Sequence, residues 1–157
     1  MNDAQISEAV IRAIRETFIG ANGDDGAFLR KQDPGLLPLM SLLTAADASR
    51  PIAGASIAAH VSHIIICLDS FLSIIAGTAS SDSEEWKETL CESQVDDNEW
   101  QVLQEELEIR MNKVVRIVSK HTMHDEAGLW AALGILAHNA YHLGAIQAKL
   151  EQINFKS

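Results

Sequence analysis

Apolar positions recur every three to four residues in four long stretches of the chain, the period of helices that bury one side. From Asp3 to Ile19 the stripe is Ile6, Val10, Ala13, Ile14, Thr17 and Phe18, with Asn2 or Asp3 in capping position. Gly20 to Gly35 reads as loop, because glycines, Pro34 and the Asp24–Asp25 pair break the period there. Leu36 to Asp47 predicts a short extra helix that tolerates an early Pro38, ended by a turn over Ala48 to Gly54. Ser56 caps a second long helix that stops at Gly77.

Thr78 to Ser83 is small and polar, hence linker, and Trp86 to Leu90 adds at most a helical turn. A third long helix starts at a cap on Asp97 or Asn98 and ends near Lys120. Its stripe is Trp100, Leu103, Leu107, Met111, Val114 and Val118. The fourth is capped by Thr122 or Asp125 and ends near Ile153. No strand-like alternation and no internal repeat interrupts this order. The expectation is an all-α chain, an antiparallel four-helix bundle with a short extra helix, forming one domain over residues 1–157.

Charge narrows the partners. Lys and Arg number 12 against 22 Asp and Glu, and a net charge of −10 repels nucleic-acid phosphates and anionic membrane surfaces. Cys67 and Cys91 cannot build a disulfide framework, which fits a reducing cytoplasm, and the charged start of the chain has no apolar core of a signal peptide. Pro51 to Leu68 and Ala127 to Ala148 are long and uncharged. Both contain polar residues and lack basic flanks, so they read as buried helices rather than membrane spans.

Chemistry concentrates on histidine. His138 and His142 are four residues apart, which on a helix is a rise of about 6 Å and a return to within about 40° of the same face. Two imidazoles so placed can share one metal ion. Around them lie Ala131, Gly134, Ile135 and Ala145, with no charge before Lys149, while Leu129, Leu133, Leu136 and Leu143 lie opposite. Small neighbours leave room for a cavity beside the rings. On the second long helix, His60 and His63 share a face with Ser56, Ala59, Cys67 and Ser70. Inward histidines on two uncharged helices suit a common site, and three neutral imidazoles leave a fourth position open, as catalytic zinc sites do.

The segments Ser56 to Ile64 and Ala137 to Gln147, with the H-x-x-x-H pair followed by Gly144 and Gln147, resemble the DinB/YfiT-like superfamily of metal-dependent enzymes. The Trp86 region and the helix start at Asp97 to Trp100 are similar too, so the likeness runs from about Leu36 onward. One departure is that Ala145 and Ile146 separate Gly144 from Gln147. The resemblance implies a DinB-type four-helix bundle, with His63, His138 and His142 as ligands of a divalent ion such as nickel or zinc. It implies a metal-dependent hydrolase or thiol transferase acting on a small molecule, or a non-catalytic metal- or ligand-binding bundle.

Around that core, His60 reads as an alternate ligand, a hydrogen-bond donor beside the ligands or a polar lining residue. Cys67 reads as a buried inert thiol or, as a thiolate near a metal, a ligand or nucleophile, and Tyr141 reads as a core residue with a satisfied hydroxyl. His121 and His124 read as helix-end or surface residues, and Trp86, Trp100 and Trp130 as core or interface anchors. Glu105, Glu106 and Glu108 read as a solvated face, with a Glu106–Arg110 pair. The apolar sides carrying Leu129, Leu133, Leu136 and Leu143, and Ile57, Val61, Ile65 and Leu72, exceed what one narrow core can use. A homodimer is therefore expected.

Overall fold

The computed structural model describes residues 3–21, 26–78, 94–121 and 126–154. Its helices are α1 (Asp3–Ile19), α2 (Leu36–Ser41), α3 (Ala45–Ala48), α4 (Ile57–Ile75), α5 (Asp97–His121) and α6 (Glu126–Asn154), and no strand occurs among the described residues. The expected caps at Thr122 and Asp125, the Trp86 turn, Cys91 and His124 lie outside the described residues, as does the side chain of His121.

Helix ends follow local chemistry. Ser56 is the cap of α4, its hydroxyl accepting from Ala59 N at 3.1 Å. At the other end Gly77 takes φ +67°, a left-handed geometry that side-chain-bearing residues resist. There Gly77 N donates to Ile74 O and Thr78 N to Ser73 O, satisfying two of the last carbonyls. The cap of α5 is Asp96, one residue earlier than expected. Glu99 N donates to its carboxylate while Asp96 N donates to Glu99, a reciprocal box. The single short helix expected over Leu36 to Asp47 is two. Thr44 caps a new turn by accepting from Asp47 N, which splits α2 from α3.

The four long helices pack around one apolar core. α4 and α1 each pack against both α5 and α6, so α1 lies across from α4 and α5 across from α6. α4 and α6 run antiparallel, since His60 meets His142 while Phe71, three turns on, meets His138 and Gly134. The core takes Phe18 and Ile14 from α1, Ile64 and Leu68 from α4, Leu107 and Val114 from α5, and Ile135 and Ile146 from α6. Trp100 is a core anchor, its indole donating to Leu43 O at 3.0 Å and so tying α5 to the α2–α3 segment. α4 is long and apolar enough to cross a membrane by length and composition, and more than half of it is buried against other helices.

Arg110 is more than one side of a surface pair. It bonds Glu106 within α5 and reaches Asp69 on α4 at 3.0 and 3.2 Å, joining the two helices across their edge. Glu16, a buried acid inside the α1 stripe, holds the loop that follows. Its carboxylate accepts from the backbone N–H groups of Ala27, Phe28 and Leu29 at 2.6, 3.0 and 2.7 Å. Burial alone would raise its pKa, and these three donors with Arg12 bring it below the usual carboxylate value. Glu16→Ala leaves three donors without their acceptor. The expected cost is about 2–4 kcal/mol in urea unfolding, with increased protease sensitivity of the loop.

Candidate metal centre

α4 and α6 set the geometry of the histidine cluster. His63 on α4 and His138 and His142 on α6 bring one nitrogen each into a group whose members lie within 4.8 Å of one another. His138 Nε2 is 3.2 Å from His63 Nε2 and 3.2 Å from His142 Nε2. The rings meet edge-on or tilted, with centroids 4.4 to 5.1 Å apart, so their ends converge while their faces do not stack. Two nitrogens bound at 2.0–2.1 Å to one tetrahedral ion are about 3.3–3.4 Å apart. Both 3.2 Å separations lie beside that value.

Without an ion the same arrangement is poorly satisfied. Each neutral imidazole has one N–H and one lone pair. His138 Nε2 sits between two other Nε2 atoms and can donate one good bond at most, so lone pairs are left facing each other. The far nitrogen of His138, Nδ1, is buried and has no hydrogen-bond partner among the described residues.

Burial keeps these rings uncharged. It pushes His138 down to about 4, helped by His63, and His142 down to about 3, helped by its three histidine neighbours. His63 is lowered by burial as well. His60 falls to about 4 through burial first, then through the ammonium of Lys149 and His63. At neutral pH all four present lone pairs rather than charges, the state in which imidazole binds a cation.

Around the triad, the structure corrects several expectations. The room left by Gly134 holds the Phe71 ring. A Cβ at 134 would sit 2.6 Å from Phe71 Cε1, and that ring meets His138 edge-on at 6.1 Å. The small residue there serves close packing of α4 on α6, and the expected cavity does not extend to it. Tyr141 is 70% exposed and Trp130 74% exposed, so neither is a core residue. Both sit on the outer side of α6. Ile57, Val61, Ile65, Leu72 and Leu143, on the faces expected to meet a second copy, are buried inside the chain's own core, whereas Leu133 is exposed.

Cys67 is buried and its Sγ lies 3.5 Å from His63 Nε2, outside the group of three nitrogens. Burial pushes its thiol up to about 11, so it is a neutral neighbour at pH 7. Lys149 closes the α6 histidine side, its buried ammonium donating to Ile52 O. Asn139, beside His138 on α6, points instead to α1, where its Nδ2 donates to Thr17 Oγ1 at 3.4 Å. Asp69 is spent on Arg110 and Lys113, which leaves the triad without it. Glu16, the Asp96 box and the Phe71–Gly134 contact were not anticipated. Only the Asp-x-x-Glu spacing at 96–99 carried a sequence signal.

No family profile, curated protein or solved structure matches the chain.

Proposed function

We propose that the chain is a DinB/YfiT-like metal protein, an antiparallel four-helix bundle in which His63, His138 and His142 hold one divalent ion, nickel or zinc. The observation that carries this reading is the convergence of three uncharged imidazole nitrogens from two helices, all within 4.8 Å of one another and with His138 Nε2 3.2 Å from each of the other two. The family assignment adds the Ser56 to Ile64 and Ala137 to Gln147 segments. When bound, such an ion supplies Lewis acidity toward a small-molecule electrophile and toward a water or thiol. The chain itself supplies three uncharged donor rings, two of them on the side of α6 that also carries the buried Ala131 and Ile135. The reaction class is hydrolysis or thiol transfer in the cytoplasm.

A second reading is a non-catalytic sensor or sequestration bundle, favoured by the Cys67 thiol beside His63, which stands where it could help close the site. Cobalt substitution separates the two. An exchangeable water on the cobalt supports the enzyme, and a saturated four-coordinate ion with no exchangeable ligand supports the sensor.

The homodimer belongs to the same proposal, with its surface redrawn. Trp130, Leu133, Ala137, Tyr141 and Gly144 form an exposed row along α6 without a charge, on a chain whose net charge is −10. A second copy seated by the same row about a two-fold axis would cover it. Light scattering at micromolar concentration should give twice 17.1 kDa, and Tyr141→Glu should return the monomer mass. A monomer in the unmodified chain removes this part.

A further inference from the structure

Not all four clustered imidazoles are spaced as ligands. The Nδ1 atoms of His60 and His142 are 2.8 Å apart. That is too close for two nitrogens on one tetrahedral ion, which need about 3.3–3.4 Å. It is an ordinary length for N–H···N. His60 also stands outside the mutually close group of His63, His138 and His142. Its ring is buried on the side of α4 that faces α6, one turn before His63.

We infer that His60 is the positioning residue of the metal centre, accepting the Nδ1–H of His142 and so fixing the ring that presents Nε2. The inference rests on the metal reading above. A neutral His142 that gives its Nε2 lone pair to an ion must carry its proton on Nδ1. The atom facing that proton is His60 Nδ1, which must then be bare, and the His60 proton sits on Nε2. α4 therefore contributes one ligand and the holder of another, while α6 contributes two ligands. Metal-bound histidines commonly need such an acceptor, and losing it weakens metal binding about ten- to a hundredfold. Here an imidazole does what a carboxylate or a backbone carbonyl does elsewhere. The asymmetry is specific, because the corresponding Nδ1 of His138 has no partner among the described residues.

The test uses the full chain, stripped of metal and titrated with Zn2+ against a competing chelator. The Oδ1 of an asparagine lies where Nδ1 of histidine lies, so His60→Asn keeps an acceptor and His60→Leu removes it. His60→Leu should bind Zn2+ about ten- to a hundredfold more weakly, and His60→Asn within a few-fold of the unmodified chain. Equal affinity of His60→Leu and the unmodified chain overturns the inference. So does an equal loss in both variants, which would mean that the ring matters only as packing. Long-range proton–nitrogen correlation on the zinc-loaded, unmodified chain needs no variant. His142 protonated at Nδ1 and His60 at Nε2 is the expected pattern, and His142 protonated at Nε2 overturns it. If the unmodified chain takes up no Zn2+, the metal reading itself fails, and His60 loses its role with it.

Discussion

Chelator-treated protein, titrated with zinc or nickel, is expected to bind about one ion per chain and to melt higher as it does so. Ligand that binds only the folded state stabilises it by about 2.7 kcal/mol at a hundred times its Kd and about 4.1 kcal/mol at a thousand times. For a chain of this size each kcal/mol moves Tm by about 2–4 °C. The expected rise is therefore roughly 5–15 °C. Removing any one of the three rings leaves two donors, so His63→Ala, His138→Ala and His142→Ala should each lose both the stoichiometric ion and the rise in Tm. His138→Ala tests the geometry most sharply, because His138 Nε2 is the atom 3.2 Å from both others. It should not collapse the metal-free fold, since that ring is only partly buried and its Nδ1 is unpartnered among the described residues. Unchanged stoichiometry in all three variants, or a Tm indifferent to chelation, would sink the metal centre.

The elements that could be read from the chain are those that depend on neighbours close in sequence. Ser56 capping α4, Gly77 ending it, and the stripe from Trp100 to Val118 on α5 are all local signals, and each stands where expected. The His138–His142 pair is local as well, and His63 could be placed on the matching side of α4 because that side is small and uncharged. What failed required knowing which side of a helix faces out. α6 is apolar nearly all round, so its period does not choose between Leu143, which is buried, and Trp130 and Tyr141, which are exposed. The two-sided burial of α4 had the same effect. Apolar faces assigned to a second copy turned out to be covered, because α4 packs against both α5 and α6.

Long-range polar contacts were illegible for a different reason. Glu16 looks like one more charged position in an amphipathic helix, and only the return of the 27–29 backbone makes it an anchor. Arg110 has a plausible partner four residues away, and its second partner, Asp69, is supplied by another helix. Gly134 reads as space, and the space is filled by Phe71 from across the helix pair. In each case the residue type was visible and the partner was a matter of packing.

Acid should destabilise the metal-free protein from about pH 6.5 downward, over a window set by the histidines. His60, His138 and His142 stand at about 4, 4 and 3 in the folded chain, against 6.5 for an unburied ring. Their folded pKa lies below the unfolded one, so the unfolded chain takes up more protons as pH drops below about 6.5. Stability then falls with pH until the folded rings titrate too, near 4 for two of them and 3 for the third. Each proton bound only by the unfolded state contributes about 1.4 kcal/mol per pH unit, so three give a slope of about 4 kcal/mol per unit. The slope lasts from pH 6.5 to about 4, so the three rings withdraw about 10 kcal/mol by pH 4 and about 12 kcal/mol in all, enough to bring a domain in the lower part of the ordinary range of about 5–15 kcal/mol to its midpoint above pH 4. Glu16 adds a separate limb. Its carboxylate is depressed below 4.5, so its contribution is full above that value and disappears only as pH falls through the lower folded one. The histidine limb therefore comes first on acidification. Bound metal competes with the same protons at His138 and His142, and should move the midpoint to lower pH. Circular dichroism from pH 7 to pH 3, with and without Zn2+, measures both midpoints. Replacing one buried ring, His142→Leu, should remove about one proton from the unfolding step. A urea midpoint of the metal-free protein that does not fall between pH 6.5 and pH 4 would show that these rings are not buried as neutral groups, and an acid midpoint that Zn2+ leaves in place would show that they are not joined in one site.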